Sequence, residues 1–569
     1  MNRHAFAAAL AASLLLAACQ TPQSSADKTA GPTAPPPATP RPAAPPAPHA
    51  QHAQHEAMLD RVQGTGSHQR RMAPAMAPPA GIRPPHPWPR ADPANREEYA
   101  AVDDNPVRRA SEHPVSTFSV DVDTGSYSNV RRMLRMGVRP PPDAVRAEEF
   151  INYFSYGHPA PASREVPFRV STEIAPSPWD PKRHLLMVGI KGYDVPKAEL
   201  PPANLVFLVD TSGSMHSDDK LPLLRRAFAA LTDQLRAQDK VSIVAYAGSA
   251  GLVLPPTPGD RKGEILAALE RLQAGGSTNG GAGIELAYAM VRQGYVEGGA
   301  NRVILATDGD FNVGTVNRDA LEALVADQRG SGIALTTLGF GTGNYNDAMA
   351  ERLADAGDGN HAYIDTLLEA RKVLVEEMSS TLLTIARDVK IQVEFNPALV
   401  AEYRLVGYAN RMLREEDFAN DRVDAGDIGA GHEVTALYEI ALAGSGGERL
   451  APLRYGDRPT AAAHGGELAH LRLRYKQPDG DASRLIEVPL ARSAIGTGAS
   501  PTLRFAATVA AFADALRGGH NLGQWDWDAI AEGARAGRGE DRWGLRGEFA
   551  ELVEAGRAAT RGGATRTGD

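Results

Sequence analysis

Carboxylate and hydroxyl side chains recur in three loop-like segments in the middle of the sequence. Among the side chains of the segments DTSGS, GGSTN and TDG, two carboxylates and three hydroxyls are candidate ligands. Such oxygens are hard ligands, and Mg²⁺ favours an octahedral shell of a few protein oxygens together with water. The pattern therefore predicts a site for Mg²⁺, or for Mn²⁺ or Ca²⁺ in its place. Its candidate ligands are Asp210, Ser212, Ser214, Thr278 and Asp308.

Each of these residues alone also has a structural interpretation. Ser212 and Thr278 could be helix N-caps, because Ser and Thr are favoured at that position. Asp210 and Asp308 could cap turns through their carboxylates. All five together, at the ends of predicted strands, favour the metal site.

The elements that must position these loops are strands of a parallel sheet. Leu205–Val209 and Asn301–Thr307 are largely apolar runs, which are typical of strands buried on both faces. Between residues 203 and 385 such runs alternate with segments of helical periodicity. This alternation predicts an α/β domain with a doubly wound parallel sheet and right-handed crossovers. Ligands of open α/β sheets bind beyond the carboxyl ends of the strands, where these loops lie.

Other segments of the same domain complete the predicted alternation. Further predicted strands are 240–246, 333–338 and 361–364, and predicted helices are 221–236, 264–272, 282–291, 321–325, 348–356 and 367–385.

A cation held by these ligands would keep one coordination position open. Two carboxylates that act partly through water leave the ion electron-poor. An ion in that state captures a carboxylate from another molecule, which is a recognition chemistry.

The α/β segment resembles a von Willebrand factor type A domain, and the candidate ligands match its metal-ion-dependent adhesion site in order. The resemblance implies that Ser212, Ser214 and Thr278 coordinate the ion directly or nearly so. It implies that Asp210 and Asp308 act mainly through water, and that a Glu or Asp of a protein partner completes the shell. The flanks STFSVDVDTGSYSNVRR and GHEVTALYEI resemble a bacterial lipoprotein family, with a lead-in module before this domain and a C-terminal domain of unknown function after it.

The N-terminus has the layout of an export signal. Residues 1–19 contain Arg3, an apolar Ala/Leu core and the tetrapeptide LAAC, and they are too short to span a membrane. The tetrapeptide resembles the bacterial lipobox, which implies a lipid anchor at Cys19, the single cysteine of the chain. A plain signal peptide with an incidental cysteine is the alternative. Gln20 resembles the sorting pattern of outer-membrane lipoproteins, so the predicted location is the cell envelope, at the outer membrane.

The remaining sequence divides by composition and pattern. Residues 20–94 are rich in Pro and Ala and are predicted to be a disordered linker, because they cannot bury enough apolar surface. Residues 95–202 form the predicted lead-in module. Its strands are expected to join those of 386–495 in an antiparallel β-sandwich. Residues 496–569 are predicted to be a C-terminal helical segment.

A second acidic segment, DVDTGSYSN, resembles a calcium loop and also the nucleophile motif of haloacid-dehalogenase-type phosphatases. An EF-hand loop requires Gly at position 6 and Glu at position 12, where this segment has Ser126 and Arg132. The phosphatase motif needs a lysine and an acidic pair that the sequence does not place. Asp121 and Asp123 are therefore predicted to be structural, as acceptors of turn amides.

Charge and motifs narrow the function. The 569-residue chain has a net charge of −9, unlike the basic surface of nucleic-acid binders. The sequence contains no P-loop, GxSxG or HExxH motif, and only His216 lies near the DTSGS serines. The predicted function is non-enzymatic: a membrane-anchored adhesion or scaffold protein that binds a protein partner presenting Asp or Glu. The alternatives are a metal-dependent hydrolase or phosphatase, and an adaptor subunit of an ATPase-type machine.

Overall fold

The apolar runs of the sequence form strands, and most of the periodic segments between them form helices, in the computed structural model of this chain. The structure describes residues 97, 99–101, 103–276, 280–309, 318–342, 345–454, 466–478 and 480–564. The predicted signal peptide with Cys19, the predicted linker 20–94 and Thr278 lie outside the described residues.

The strands of the described ranges are numbered in chain order. They are β1 (Arg108–Arg109), β2 (Val115–Ser119), β3 (Phe168–Pro176), β4 (His184–Gly192), β5 (Ala203–Asp210), β6 (Lys240–Tyr246), β7 (Ala250–Pro258), β8 (Ala300–Thr307), β9 (Ile333–Phe340), β10 (His361–Ile364), β11 (Thr384–Phe395), β12 (Val400–Val406), β13 (Ile428–Gly429), β14 (Glu433–Leu442), β15 (Glu467–Lys476) and β16 (Ser483–Ala491).

The helices of the same ranges are also numbered in chain order. They are α1 (Gly125–Arg135), α2 (Ala147–Asn152), α3 (Leu221–Thr232), α4 (Lys262–Glu270), α5 (Gly280–Gly294), α6 (Arg318–Gly330), α7 (Asp347–Ala356), α8 (Leu367–Arg371), α9 (Met378–Leu382), α10 (Pro501–Arg517), α11 (Trp527–Ala536) and α12 (Leu545–Ala564). None of the helices in the described ranges has both the length and the apolar character needed to cross a membrane.

A central sheet of order β10-β9-β8-β5-β6-β7 is parallel except at the β6–β7 pair. Every residue of β5 is buried, because successive side chains enter two different cores. Leu205 and Phe207 pack on the side of α3 and α4, whereas Val206 and Leu208 pack on the side of α5, α6 and α7. The predicted doubly wound α/β sheet is confirmed.

Two elements of this domain differ from the sequence prediction. β7 was not predicted, because its Pro255, Pro256 and Pro258 are typical of a loop; it forms the edge of the sheet, where proline is tolerated. The closing helix predicted for 367–385 is interrupted by a π-helical turn, Lys372–Glu376. It ends at Leu382 because the β-branched segment that follows already belongs to β11.

A β-sandwich is assembled from strands on both sides of the α/β domain. One sheet has the order β1-β12-β14-β4-β3, and the other has the order β13-β11-β15-β16, with β2 also paired to β11. Both sheets contribute to one apolar core, for example through Val188 of the first sheet and Ile391 of the second. The predicted sandwich, with strands from before and after the α/β domain, is confirmed.

A layer of helices packs α1 and α2 against α10, α11 and α12 around a separate apolar core. Aromatic rings make the contacts between these distant segments. The ring centroid of Phe154 lies 5.1 Å from that of Phe505 and 5.4 Å from that of Phe549. The sequence predicted the C-terminal helical segment but did not predict that it shares a core with α1 and α2.

Arg131 of α1 is a buried cation that joins this helical layer to the α/β domain, and it is 1% exposed. Its guanidinium donates to Asp365 (Nε to Oδ2, 2.8 Å) and to Glu369 (Nη2 to Oε2, 2.7 Å). A third carboxylate, Glu548 of α12, lies 3.1 Å from Nη1. These ion pairs tie α1 to the start of α8 and to α12.

Arg146, also 1% exposed, is a second buried cation at the same junction. It forms ion pairs with Glu149 of α2 and with Asp347 of α7. Glu351, one turn further along α7, lies 3.5 Å from its Nη1. Two guanidinium groups of the segment before β5 therefore hold the helices on one side of the central domain.

Replacing Arg131 with Met is expected to lower the free energy of unfolding by about 3–5 kcal/mol, because it leaves buried carboxylates unpaired. Arg135→Met is the matched control on the same helix. Its guanidinium also pairs with Glu548, but its side chain is 48% exposed, so the loss should be less than about 1 kcal/mol. Urea denaturation of the two variants measures the difference, and equally small losses would contradict the assignment.

Candidate metal centre

Asp210 and Asp308 lie side by side because their strands are parallel neighbours. β5 pairs with β8 in a register that places Val209 opposite Ala306. Asp210 and Thr307 are the next residues and the last of β5 and β8. Thr307 Oγ1 donates to Asp210 Oδ2 at 3.3 Å. Asp210 and Asp308 are both fully buried. The structure thus brings together the two carboxylates that the sequence predicted as ligands.

The DTSGS loop turns its hydroxyls toward one another. Asp210 Oδ1 accepts from the backbone N–H of Ser212 at 2.8 Å, which fixes the turn. The hydroxyls of Ser212 and Ser214 are 2.9 Å apart. Ser212 is buried, and Ser214 is partly exposed. The carboxylate of Asp210 and the hydroxyls of Ser212 and Ser214 are therefore held within one short segment.

The GGSTN loop lies against the DTSGS loop. Gly213 N–H donates to Gly276 O at 3.1 Å, and Gly275 N–H donates to Thr211 O at 2.8 Å. Gly276 has φ +89°, a conformation that favours glycine. These bonds bring the start of the GGSTN segment to the site. Thr278 itself lies outside the described residues and stays a prediction.

Lys220 is a residue of this centre that the sequence analysis missed. Its ammonium donates to Asp308 Oδ2 at 2.9 Å, and the residue is 6% exposed. A lysine directly before an amphipathic helix usually faces solvent, so the pattern gave no sign of its burial. The available signal was its position in the loop after β5, close in sequence to the carboxylates that need a counter-charge.

The other oxygen of Asp308 is the observation that tests whether a cation fits. Oδ1 is buried, and among the described residues no group donates a hydrogen bond to it. An unsatisfied buried carboxylate oxygen is costly, and a cation beside hydroxyl and carboxylate oxygens would satisfy it. Within the described ranges there is no group of three or more His, Cys, Asp or Glu able to hold a metal, so this centre would have to depend on hydroxyls. The donor set fits a small, hard divalent ion.

Gly309, which follows Asp308, packs closely against Tyr345. Gly309 has φ +97°, and a Cβ there would lie 2.2 Å from Tyr345 Cα. The phenol oxygen of Tyr345 is 2.5 Å from His361 Nε2. The backbone N–H of His361 donates to Asp123 Oδ1 at 2.7 Å. Contacts through Tyr345 and His361 therefore connect Gly309 to Asp123 in the segment before β3.

Asp121 and Asp123 have the structural role that the sequence predicted for them. Asp121 Oδ1 accepts from the backbone N–H of Asp123 at 3.0 Å, and Asp123 accepts from His361 as described above. Arg411 lies 3.3 Å from Asp121 and 3.4 Å from Asp123. Both carboxylates thus serve backbone amides and an ion pair, and that prediction is confirmed. His216 is exposed.

Known proteins match this chain in three consecutive parts. Residues 93–187 match a family model described as von Willebrand factor, residues 205–310 one described as von Willebrand factor type A domain, and residues 380–558 one described as uncharacterized protein YfbK, C-terminal. The uncharacterized protein YfbK of Escherichia coli (strain K12) is 49% identical over 464 residues, which are 80% of each chain. This chain belongs to the YfbK family.

Other similarities are more distant in sequence. Inter-alpha-trypsin inhibitor heavy chain H3 of Pongo abelii is 24% identical over 263 residues, 42% of this chain and 29% of that protein. A solved von Willebrand factor type A protein from Catenulispora acidiphila is 14% identical, with a TM-score of 0.36 over 67% of this chain and 88% of that one. The resemblance found in the sequence, a type A domain between a lead-in module and a C-terminal domain of unknown function, is confirmed by the family matches.

Burial makes the charge of Asp210 unfavourable when no cation is present. Loss of hydration is the largest effect and raises the pKa of Asp210 to about 6, with a further rise from the charge of Asp308. Hydrogen bonds from Ser212 and Thr307 oppose this rise. A divalent cation at the centre would favour the ionised form instead.

The raised pKa of Asp210, about 6, predicts a pH dependence of stability in EDTA. The folded state binds this proton more tightly than the unfolded chain, where the pKa of Asp is about 3.9. Stability should therefore fall as the pH rises from about 4 to about 6. Asp210→Asn lacks this titration, so it should gain roughly 2 kcal/mol on the parent between pH 4 and pH 7.5. Urea denaturation at both pH values measures the gain, and a pH-independent difference would refute the interpretation.

Proposed function

We propose that this chain is a cell-envelope lipoprotein that binds a protein partner through a divalent cation held at the ends of β5 and β8. The observation that carries the proposal is the buried Oδ1 of Asp308, to which no described residue donates, at the end of the strand next to the one that leads to the paired hydroxyls of Ser212 and Ser214. Mg²⁺ is the proposed ion, and Mn²⁺ or Ca²⁺ would fit the same oxygens.

The proposed roles are those that the resemblance to a type A domain implies. Ser212, Ser214 and Thr278 would hold the ion through their hydroxyls. Asp210 and Asp308 would act mainly through ordered water; Ser212 N–H already donates to one oxygen of Asp210, and Lys220 donates to one oxygen of Asp308. When bound, the ion supplies a positive charge with an open position that takes a carboxylate from outside the chain.

The partner is proposed to present Asp or Glu at the centre of its contact surface. Lys220 already compensates Asp308, so the protein does not neutralise a divalent ion completely. A carboxylate is the oxygen ligand that best balances the remaining charge. This makes the contact dependent on metal and sensitive to chelators.

Binding rather than catalysis is proposed because no described histidine pairs with Ser212 or Ser214. The nearby His216 is exposed, and the carboxylate that Ser212 contacts is Asp210, itself a proposed metal ligand. A serine hydrolase would need a nucleophile and a base that are both free for catalysis and within hydrogen-bond reach.

The metal part of the proposal predicts thermal stabilisation by Mg²⁺ or Mn²⁺ relative to EDTA. At a metal concentration about 100 times the Kd, the gain should be about 2.7 kcal/mol. Asp210→Ala and Ser212→Ala should abolish the gain, because each removes an oxygen of the centre. Ser217→Ala, a change at an exposed serine of the same loop, is the matched control and should keep it. The same response to metal in all variants would rule out these residues as ligands.

The anchor is proposed from Cys19 and the LAAC tetrapeptide alone. Cys19→Ala should remove the lipid attachment site and move the protein from the detergent-extracted membrane fraction to the soluble fraction. Fractionation of cells followed by immunoblotting measures the shift, with a change at the neighbouring Thr21 to Ala as the control. Retention of the Cys19 variant in the membrane would contradict the anchor.

A further inference from the structure

The buried Lys220 is the one cation whose ammonium reaches the candidate metal centre in the described part of the chain. Its Nζ lies 2.9 Å from Asp308 Oδ2 and its side chain is 7% exposed. A positive charge beside a metal site opposes the binding of a cation. Affinity for the ion therefore does not explain why Lys220 lies at this site.

The backbone around Lys220 is built to deliver this side chain. Lys220 N–H donates to Ser217 O at 3.0 Å, and Lys220 O accepts from Leu224 N–H at 2.8 Å, so the residue is fixed at the start of α3. Gly341, at φ +72°, lies against its aliphatic stem. A Cβ on that glycine would be 2.2 Å from Lys220 Cγ. The stem thus occupies a channel that exists because residue 341 has no side chain.

The charges of the centre show what this lysine does. Asp210 and Asp308 provide two buried negative charges, and Lys220 removes half of that total. A divalent ion placed among these groups would leave a net positive charge inside a site of low polarity. Unbalanced charge of this kind is strongly unfavourable when buried. An anionic ligand from outside the chain relieves it, and a neutral one does not.

We propose that Lys220 is a specificity-determining residue that makes tight retention of the cation depend on a carboxylate from the partner. The inference rests on the proposed function, and it names the element that enforces it. Without a carboxylate the ion binds weakly and exchanges. When a carboxylate is present, its negative charge balances the positive charge that the ion leaves at the site. The ion and the acidic partner are then both held.

A purely structural ion pair is the alternative role of Lys220. Such a pair would stabilise the fold but would not change how strongly a carboxylate promotes binding of the ion. The dependence of metal affinity on an added carboxylate therefore separates the two roles.

The experiment titrates the full-length chain in detergent with Mn²⁺, with and without acetate, and with acetamide as the neutral analogue. In the parent, acetate should tighten Mn²⁺ binding about tenfold, while acetamide should leave it unchanged. Lys220→Gln, which can still donate to Asp308 Oδ2, and Lys220→Met should bind Mn²⁺ about tenfold more tightly than the parent without acetate. In both variants the effect of acetate should fall below about twofold.

Two further variants serve as controls. Lys220→Arg keeps the charge and should keep the acetate effect. Lys240→Met removes a lysine from the first residue of β6, at the opposite end of the same sheet, and should behave as the parent.

The outcomes separate this inference from the proposed function. A parent that binds no Mn²⁺ would overturn both. A parent whose Mn²⁺ binding is promoted by acetate, together with folded neutral variants that show the same affinity and the same acetate effect, would overturn the role of Lys220 alone. Failure of both neutral variants to fold, as judged by circular dichroism, would make the lysine a structural residue and would also overturn its proposed role.

Discussion

Two guanidinium groups without access to water hold the helical layer and the α/β domain together. Arg131 and Arg146 extend from the segment before β3 and meet carboxylates on the α/β domain and on the last helix. A buried charge is tolerated only with its partners in place. The positions of α7 and α8 are therefore fixed by residues far away in sequence. The flanking parts are not passive spacers, because they supply the cations that the central domain needs.

The same physics operates at the candidate metal centre on a smaller scale. Two carboxylates are buried at the ends of neighbouring strands, which raises the pKa of Asp210 to about 6. Lys220 balances one of them, and hydrogen bonds from the loop hold the other. The centre is thus an unfavourable arrangement by itself, which the rest of the fold maintains. This is the usual condition of a functional site that awaits a ligand.

The sequence predicted the parts of this fold that depend on local patterns. The apolar runs of β5 and β8 and the carboxylates that follow them were found because strand burial and loop chemistry are both visible along the chain. Lys220 was missed because its burial depends on the missing side chain of Gly341, which lies far away in sequence. The shared core of α2 and α10 was missed because these helices are also far apart in sequence. Thr278, Cys19 and the domain boundaries stay predictions.

The β-sandwich has a consequence for how the chain acquires its structure. β2 lies against β11, where Gln392 donates to Thr117 across 275 residues of sequence. Contacts at such separation form slowly, whereas the α/β domain between them is made of consecutive segments. The apolar strands β2 and β4 precede the strands β11 and β14 with which they pair, so they stay unpaired until the C-terminal part of the chain is available. The nascent chain is exposed to aggregation in that interval, so this is where a chaperone would have most to protect.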